Sequence, residues 1–211
     1  MSTYQTDDEQ VEAIKKWWRE NGRSVIGGIV LGFAVIGGWQ FWQGYQRDQS
    51  EAASQVFDAM RLAVRNGNLD QAIVDGKRLV GDFGGTSYAA FAGLELARIS
   101  YERGEKAAAR NHLRWVADSA PERPLRELAR LRLARLLYDI RDLDVLRPLL
   151  AETPLPAFAG EFAVLRGDLA RAEGDATAAR AAYQDALSAG VADEMLLRMK
   201  LVDVGGALPA S

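Results

Sequence analysis

The residue types that most often carry chemistry are scarce in this chain. Of 211 residues none is cysteine and a single one, His112, is histidine. Without cysteine there is no thiol nucleophile, no thiolate metal site and no disulfide framework. His112 stands beside Leu113 in a stretch of helical periodicity, where a surface or groove position is the ordinary reading of a lone imidazole. No HExxH, GxSxG, GxxxxGKS/T or GxGxxG pattern occurs. The run Gly-Asp-Phe-Gly-Gly at 81–85 superficially resembles a phosphate loop, but it follows an expected helix instead of a strand and reads as a turn between repeats. Carboxylates are abundant, yet none sits in a cluster that would converge on a metal or an acid–base pair. The expectation is a protein that is not an enzyme, with no cofactor and no metal.

What remains is recognition. Arg98, Tyr101, Arg132 and Asp168 fall where a stack of helix pairs would turn side chains toward a groove. One aromatic ring with both signs of charge suits polypeptide segments better than one small ligand. Arg123, Arg126, Arg130, Arg132 and Arg135 alternate with Leu, Ala and Glu. That run reads either as a solvated helix face or as a patch for an acidic partner. RNA is disfavoured, since the stretch lacks the stacking aromatics that single strands need. A formal net charge of -3 also argues against a dedicated nucleic-acid binder.

The elements that must position these residues are helices. From about residue 50 onward the chain is rich in Ala, Leu, Arg and Glu, with apolar residues at helical spacing, as at Leu94, Ala97, Tyr101 and at Leu128, Leu131, Leu136. Gly and Pro punctuate it into expected helices near 51–66, 69–82, 86–103, 105–119, 122–140, 142–151, 157–173, 175–189 and 191–203. Asn-Gly-Asn at 66–68, Arg-Gly-Glu at 103–105, Arg-Asp-Leu at 141–143 and Glu-Gly-Asp at 173–175 mark one recurrent turn. Their steps bracket the period of about 34 residues that marks tetratricopeptide repeats. The match is best at Leu96-Ala97, Gly104, Ala109, Leu113, Val116, Pro121 and at Leu165, Gly167, Gly174, Ala179, Tyr183, Ala186. The first unit looks degenerate, with Gly76 where an aromatic is usual, and the third carries Pro148 in a short second helix. The expected fold is all-α: a tetratricopeptide-like solenoid of about four pairs with a final capping helix. An unrelated α-bundle is the bland alternative.

The first 45 residues differ from the rest. Val25 to Trp42 contains no charge and only Gln40 as a strongly polar residue. Eighteen residues at about 1.5 Å each give about 27 Å, close to a hydrocarbon core of about 30 Å. Trp17 and Trp18 lie before this stretch, and Trp39, Trp42 and Tyr45 close it, as interfacial belts do. Five glycines among those residues would weaken a soluble helix by about 1 kcal/mol each, whereas bilayers tolerate them. An uncleaved anchor is therefore read ahead of a signal peptide or a soluble core helix. Lys15, Lys16, Arg19 and Arg23 precede the span and only Arg47 closely follows it, so the positive-inside rule puts the N-terminus in the cytoplasm. Gly28 and Gly32 form a small-xxx-small pair that reads either as a docking face for another membrane helix or as ordinary membrane glycine. The stub has Val11, Ile14, Trp17 and Trp18 on one side and is expected to lie along the lipid surface as an amphipathic helix. The expected organisation is stub 1–23, anchor 24–45 and repeat domain 46–211.

These pieces together resemble the YfgM family of ancillary SecYEG translocon subunits. The likeness runs through DDEQVEAIKKWWRENG at 7–22, GGWQFW at 37–42 and YAAFAGLELA at 88–97. It continues through LRLARLLYD at 131–139, LRGDLARAEGD at 165–175 and MLLRMKLVDV at 195–204. The resemblance implies a single-pass protein of the bacterial inner membrane with a periplasmic repeat domain. It implies association with the SecYEG translocon and with a PpiD-like periplasmic chaperone, and help in passing exported polypeptides to chaperones. A restraining role on an envelope stress regulator is also implied. The rival reading is a membrane-anchored periplasmic scaffold for envelope assembly or stress-response regulation.

Overall fold

The computed structural model describes residues 4–205, and every regular element among them is helical. The order is α1 (Tyr4–Arg65), α2 (Leu69–Asp82), α3 (Ser87–Glu102), α4 (Lys106–Ser119), α5 (Arg123–Asp139) and α6 (Leu143–Ala151). A short 3₁₀ turn at Pro156–Phe158 leads into α7 (Ala159–Ala172), α8 (Ala176–Ala189) and α9 (Glu194–Asp203). The all-α solenoid read from the sequence is the fold observed. Local side chains start several helices: Asn68, Thr86, Asp175 and Asp193 each accept a hydrogen bond from a first-turn backbone N–H. Pro124 at the start of α5 loses nothing, since a first-turn N–H has no helical partner.

The chain divides into two units, Met1–Gln49 and Ser50–Ser211. The first differs from expectation in one respect. α1 passes through Arg23 and Ser24 without interruption, so the stub and the apolar stretch are one helix. No proline falls between Tyr4 and Arg65, and the scattered glycines weaken a helix without ending it. Within its apolar stretch Leu31, Phe33, Val35, Ile36 and Phe41 are exposed. Among the described residues one helical segment, Ile26–Arg65, is long and apolar enough to cross a membrane, and none of its apolar window is buried.

The second unit opens with the end of α1, whose Met60 and Ala63 share a core cluster with Ala72 and Leu79 of α2. The pairs α3 with α4, α5 with α6 and α7 with α8 follow, and α9 closes the unit against α8. The turn inside each pair is built the same way. At Gly67, Gly104 and Gly174 the backbone takes a left-handed φ of 72–84°. The residue after each donates back to a carbonyl five positions earlier: Asn68 to Ala63, Glu105 to Ser100, Asp175 to Ala170. Arg141 holds the same place in the third pair at φ 61°, with Asp142 donating to Leu137. A side chain there costs about 1–2 kcal/mol that glycine avoids. The Arg141 guanidinium lies 5.3 Å from the Tyr138 ring, which offsets part of that cost.

A second regularity sits in the core. Residues 16 apart, one on each helix of a pair, combine a large residue with a small one: Met60 with Gly76, Ala97 with Leu113, Ala134 with Leu150, Gly167 with Tyr183. All except the glycines are buried hydrophobics of the core. A Cβ on Gly76 would sit 2.9 Å from the Met60 methyl and equally close to Leu96. One on Gly167 would overlap the Tyr183 ring. Gly76 is therefore not a gap in a degenerate repeat; Met60 fills the space that an aromatic at that position would occupy.

Candidate functional site

Three depressions lie in a row between successive first helices of the pairs. The first, about 240 Å³, lies between the end of α1 and α3; Phe57, Met60, Val64 and Phe91 line it, with Arg61, Arg65 and Glu95 around them. The second, about 330 Å³, lies between α3 and α5, over a floor of Leu94, Ala97, Leu113 and Leu136. Arg98, Tyr101, Arg132, Arg135 and Asp139 surround it. The third, about 340 Å³, is lined by Arg135, Glu161, Leu165, Asp168, Leu196 and Lys200, among others. The first and second adjoin at the Glu95–Arg98 pair, and Arg135 lines both the second and the third.

Three of the four groove residues expected from the sequence meet in the second depression. Arg98 is held by two carboxylates of its own helix, Glu95 and Glu102, each at 2.5 Å. Hydrogen bonding to Glu95 first, and to Glu102, pushes its guanidinium above the ordinary arginine range. Tyr101 is half exposed and donates its hydroxyl to Asp139 at 3.3 Å. Lys106 pairs with the same carboxylate at 2.6 Å and lies 5.6 Å from the Tyr101 ring. That lysine lowers the Asp139 carboxyl and is itself raised by it. Arg132 is exposed and, among the described residues, has no carboxylate within ion-pair distance.

Asp168 lines the third depression and is committed inside the fold. It is buried and accepts from Lys200 Nζ at 2.6 and 2.7 Å and from the Tyr183 hydroxyl at 2.7 Å. Burial, aided by the Asp168 carboxylate, pushes the Tyr183 hydroxyl above the ordinary tyrosine range. Reasoning from repeat position missed Lys200, although it stands 32 residues after Asp168, about one period on. It also missed Asp139, Phe57 and Phe91. Phe91 was within reach, because it stands two helical turns before Arg98 on one face of α3.

The remaining singled-out residues are placed as follows. Trp17 and Trp18 are exposed with rings 6.4 Å apart, and Trp39 and Trp42 are exposed with rings 5.4 Å apart. Tyr45 is exposed and its hydroxyl accepts from Gln49. Gly28 and Gly32 stand one turn apart on α1, and a Cβ on either would meet nothing within 4 Å. His112 is half-buried on α4; burial, then the charge of Lys77, lowers its imidazole below the ordinary range. The glycine-rich run at 81–85 spans the end of α2 and the turn into α3, whose first residues are capped by Thr86. Among the described residues no group of three or more His, Cys, Asp or Glu is placed to hold a metal ion.

Comparison with known proteins agrees with this architecture. The tetratricopeptide repeat-like domain family matches residues 15–206. A protein of Escherichia coli strain K12 named ancillary SecYEG translocon subunit is 30% identical over 205 residues, covering 95% of this chain and 98% of its own length. Proteins with the same name from Haemophilus influenzae and Aggregatibacter actinomycetemcomitans are 28% and 27% identical, each covering 92% of this chain and 96% of their own length. No solved structure matches the chain significantly. With one repeat family spanning the helix pairs and relatives aligned over nearly their whole length, the chain belongs to the YfgM family of tetratricopeptide repeat-like proteins.

Proposed function

We propose that this protein is a non-enzymatic, single-pass ancillary subunit of the Sec translocon in the bacterial inner membrane. In this reading its repeat unit stands in the periplasm, binds exported polypeptides as they emerge, and releases them to a PpiD-like chaperone. The observation that carries the reading is the row of depressions, apolar at the floor and charged at the rim, on a chain whose relatives are named as translocon subunits. Such a row suits successive side chains of an extended segment better than a compact ligand. The excess of Lys and Arg before the apolar stretch supports a cytoplasmic N-terminus. Confinement beside the translocon raises the effective concentration of client and groove, so weak contacts suffice and the client can leave. Gly28 and Gly32 offer a close approach for a translocon helix.

Site-specific photocrosslinking in cells tests this. A photoreactive residue at position 132 is expected to capture polypeptides in transit, and one at position 28 to capture a translocon subunit. Recovery of outer-membrane assembly factors at position 132, with no exported polypeptide, would instead favour the scaffold reading.

A further inference from the structure

The first two depressions differ in sign from the molecule that carries them. The chain has a net charge of -3, yet five arginines line these two depressions against the carboxylates Glu95 and Asp139. Both carboxylates are already engaged, Glu95 by Arg98 and Asp139 by Lys106. Among the described residues Arg61, Arg65 and Arg132 have no carboxylate within ion-pair distance. All three are exposed and stand around apolar floors. In the first depression the floor is aromatic: Phe57 lies 5.7 Å from Tyr88 and 6.0 Å from Phe91, ring to ring. The third depression breaks the pattern, since Glu161, Asp168 and Asp193 there face Arg135 and Lys200.

We infer that the first two depressions select extended polypeptide segments in which large apolar residues alternate with acidic ones. This rests on the proposed capture of polypeptides and adds which segments are taken. The apolar side chains enter the two floors, and the acidic ones meet Arg61, Arg65 and Arg132. Each floor is at or below the small end of the range of about 300–1,000 Å³ typical of ligand pockets, the size for side chains. The Glu95–Arg98 pair stands between the two floors and interrupts any continuous apolar channel of the kind an acyl chain needs. That interruption favours a peptide over an anionic lipid.

The test uses the full chain in nanodiscs of phosphatidylcholine and three labelled peptides of equal length. One alternates Phe and Asp in a Gly-Ser background, the second has Lys for Asp, the third Ser for Phe. Fluorescence anisotropy is expected to rank the Phe-Asp peptide tightest. Its binding should weaken with added salt, because exposed pairs are screened. Three exposed ion pairs together are worth about tenfold in affinity, so Arg61→Glu, Arg65→Glu and Arg132→Glu combined should cost at least that much. The same triple variant should tighten the Phe-Lys peptide. Arg132→Gln alone, which only removes a charge, should give a smaller loss in the same direction. Equal binding of the Phe-Asp and Phe-Lys peptides would overturn the inference. So would a triple variant that keeps its affinity for Phe-Asp, or one that instead loses affinity for phosphatidylglycerol vesicles. Crosslinking from position 101, which lines the second depression and leaves all three arginines in place, separates the two readings. Capture of exported polypeptides without acidic enrichment leaves the capture proposal standing and removes this one.

Discussion

The paired core positions 16 residues apart allow a quantitative test through Met60 and Gly76. Met60 is fully buried, and a Cβ at Gly76 would lie 2.9 Å from its methyl group and from Leu96. Met60→Ala alone removes a buried side chain and should cost about 2–5 kcal/mol. Gly76→Leu alone forces a branched side chain into occupied space and should cost about 1–3 kcal/mol or more. Independent effects would sum to at least about 3 kcal/mol. The double variant, however, recreates the arrangement of the second pair, where Ala97, Leu113 and Leu133 pack together in one core. The exchange adds a single heavy atom overall, and swaps this close to volume-conserving typically cost under about 1.5 kcal/mol. The two changes should therefore couple favourably by about 1.5 kcal/mol or more, read from thermal and denaturant unfolding of all four chains. For a unit of this size about 1 kcal/mol moves the melting temperature by about 2–4 °C, so the rescue is resolvable. Additive losses would refute complementary volume as the rule of the core and restore Gly76 to the status of a defect.

Lys200→Met should destabilise the repeat unit by about 2 kcal/mol, below the range for fully buried pairs because Lys200 is partly exposed. Adding Asp168→Asn should recover most of that loss in denaturant unfolding; no recovery would mean the lysine acts by packing alone. Arg141→Gly should stabilise by about 0.5–1 kcal/mol, since it relieves the left-handed backbone and gives up the contact with Tyr138. An unchanged or lowered melting temperature would contradict that. His112 has a lowered folded-state pKa, so the unfolded chain binds more protons just below the ordinary value of 6.5. Its contribution is present above that pH and is lost as pH falls through the folded pKa. His112→Gln should flatten the fall in melting temperature over that window, and an identical slope would show that the imidazole is not responsible.

Much of the solenoid was readable because its punctuation is local. Gly67, Gly104 and Gly174 mark left-handed turns that few other residues adopt, so the helix boundaries fell within three residues from α2 to α9. The third turn gave less warning, since Arg141 occupies the position without being glycine. The groove was harder to read. Repeat position put Arg98, Tyr101, Arg132 and Asp168 on one face, but position says nothing of pairing. Asp168 turned inward because Lys200 and Tyr183 are there to receive it, and both lie on other helices. Arg132 stayed free because its helical neighbours three and four residues away, Leu128, Ala129, Arg135 and Leu136, include no carboxylate. The stub resisted reading for a different reason: an amphipathic pattern fixes a helical face but not where the helix stops.

The fold and the candidate site draw on separate positions, and that separation has a consequence for how the site can change. Met60, Gly76, Ala97, Leu113, Ala134, Leu150, Gly167 and Tyr183 hold the pairs together. Arg61, Arg65 and Arg132 lie outside the buried core. Exposed charges of this kind contribute little to stability, about 0–1 kcal/mol even when paired. Reversing them should therefore leave the melting temperature within about 1–2 °C while peptide affinity falls about tenfold. The same independence fits the proposed hand-over role. A groove whose recognition rests on exposed arginines over shallow apolar floors binds weakly and releases quickly, and tethering supplies the occupancy that affinity does not. A triple arginine variant that unfolded at lower temperature would place these residues in the structural framework, and the division between framework and groove would fall with it.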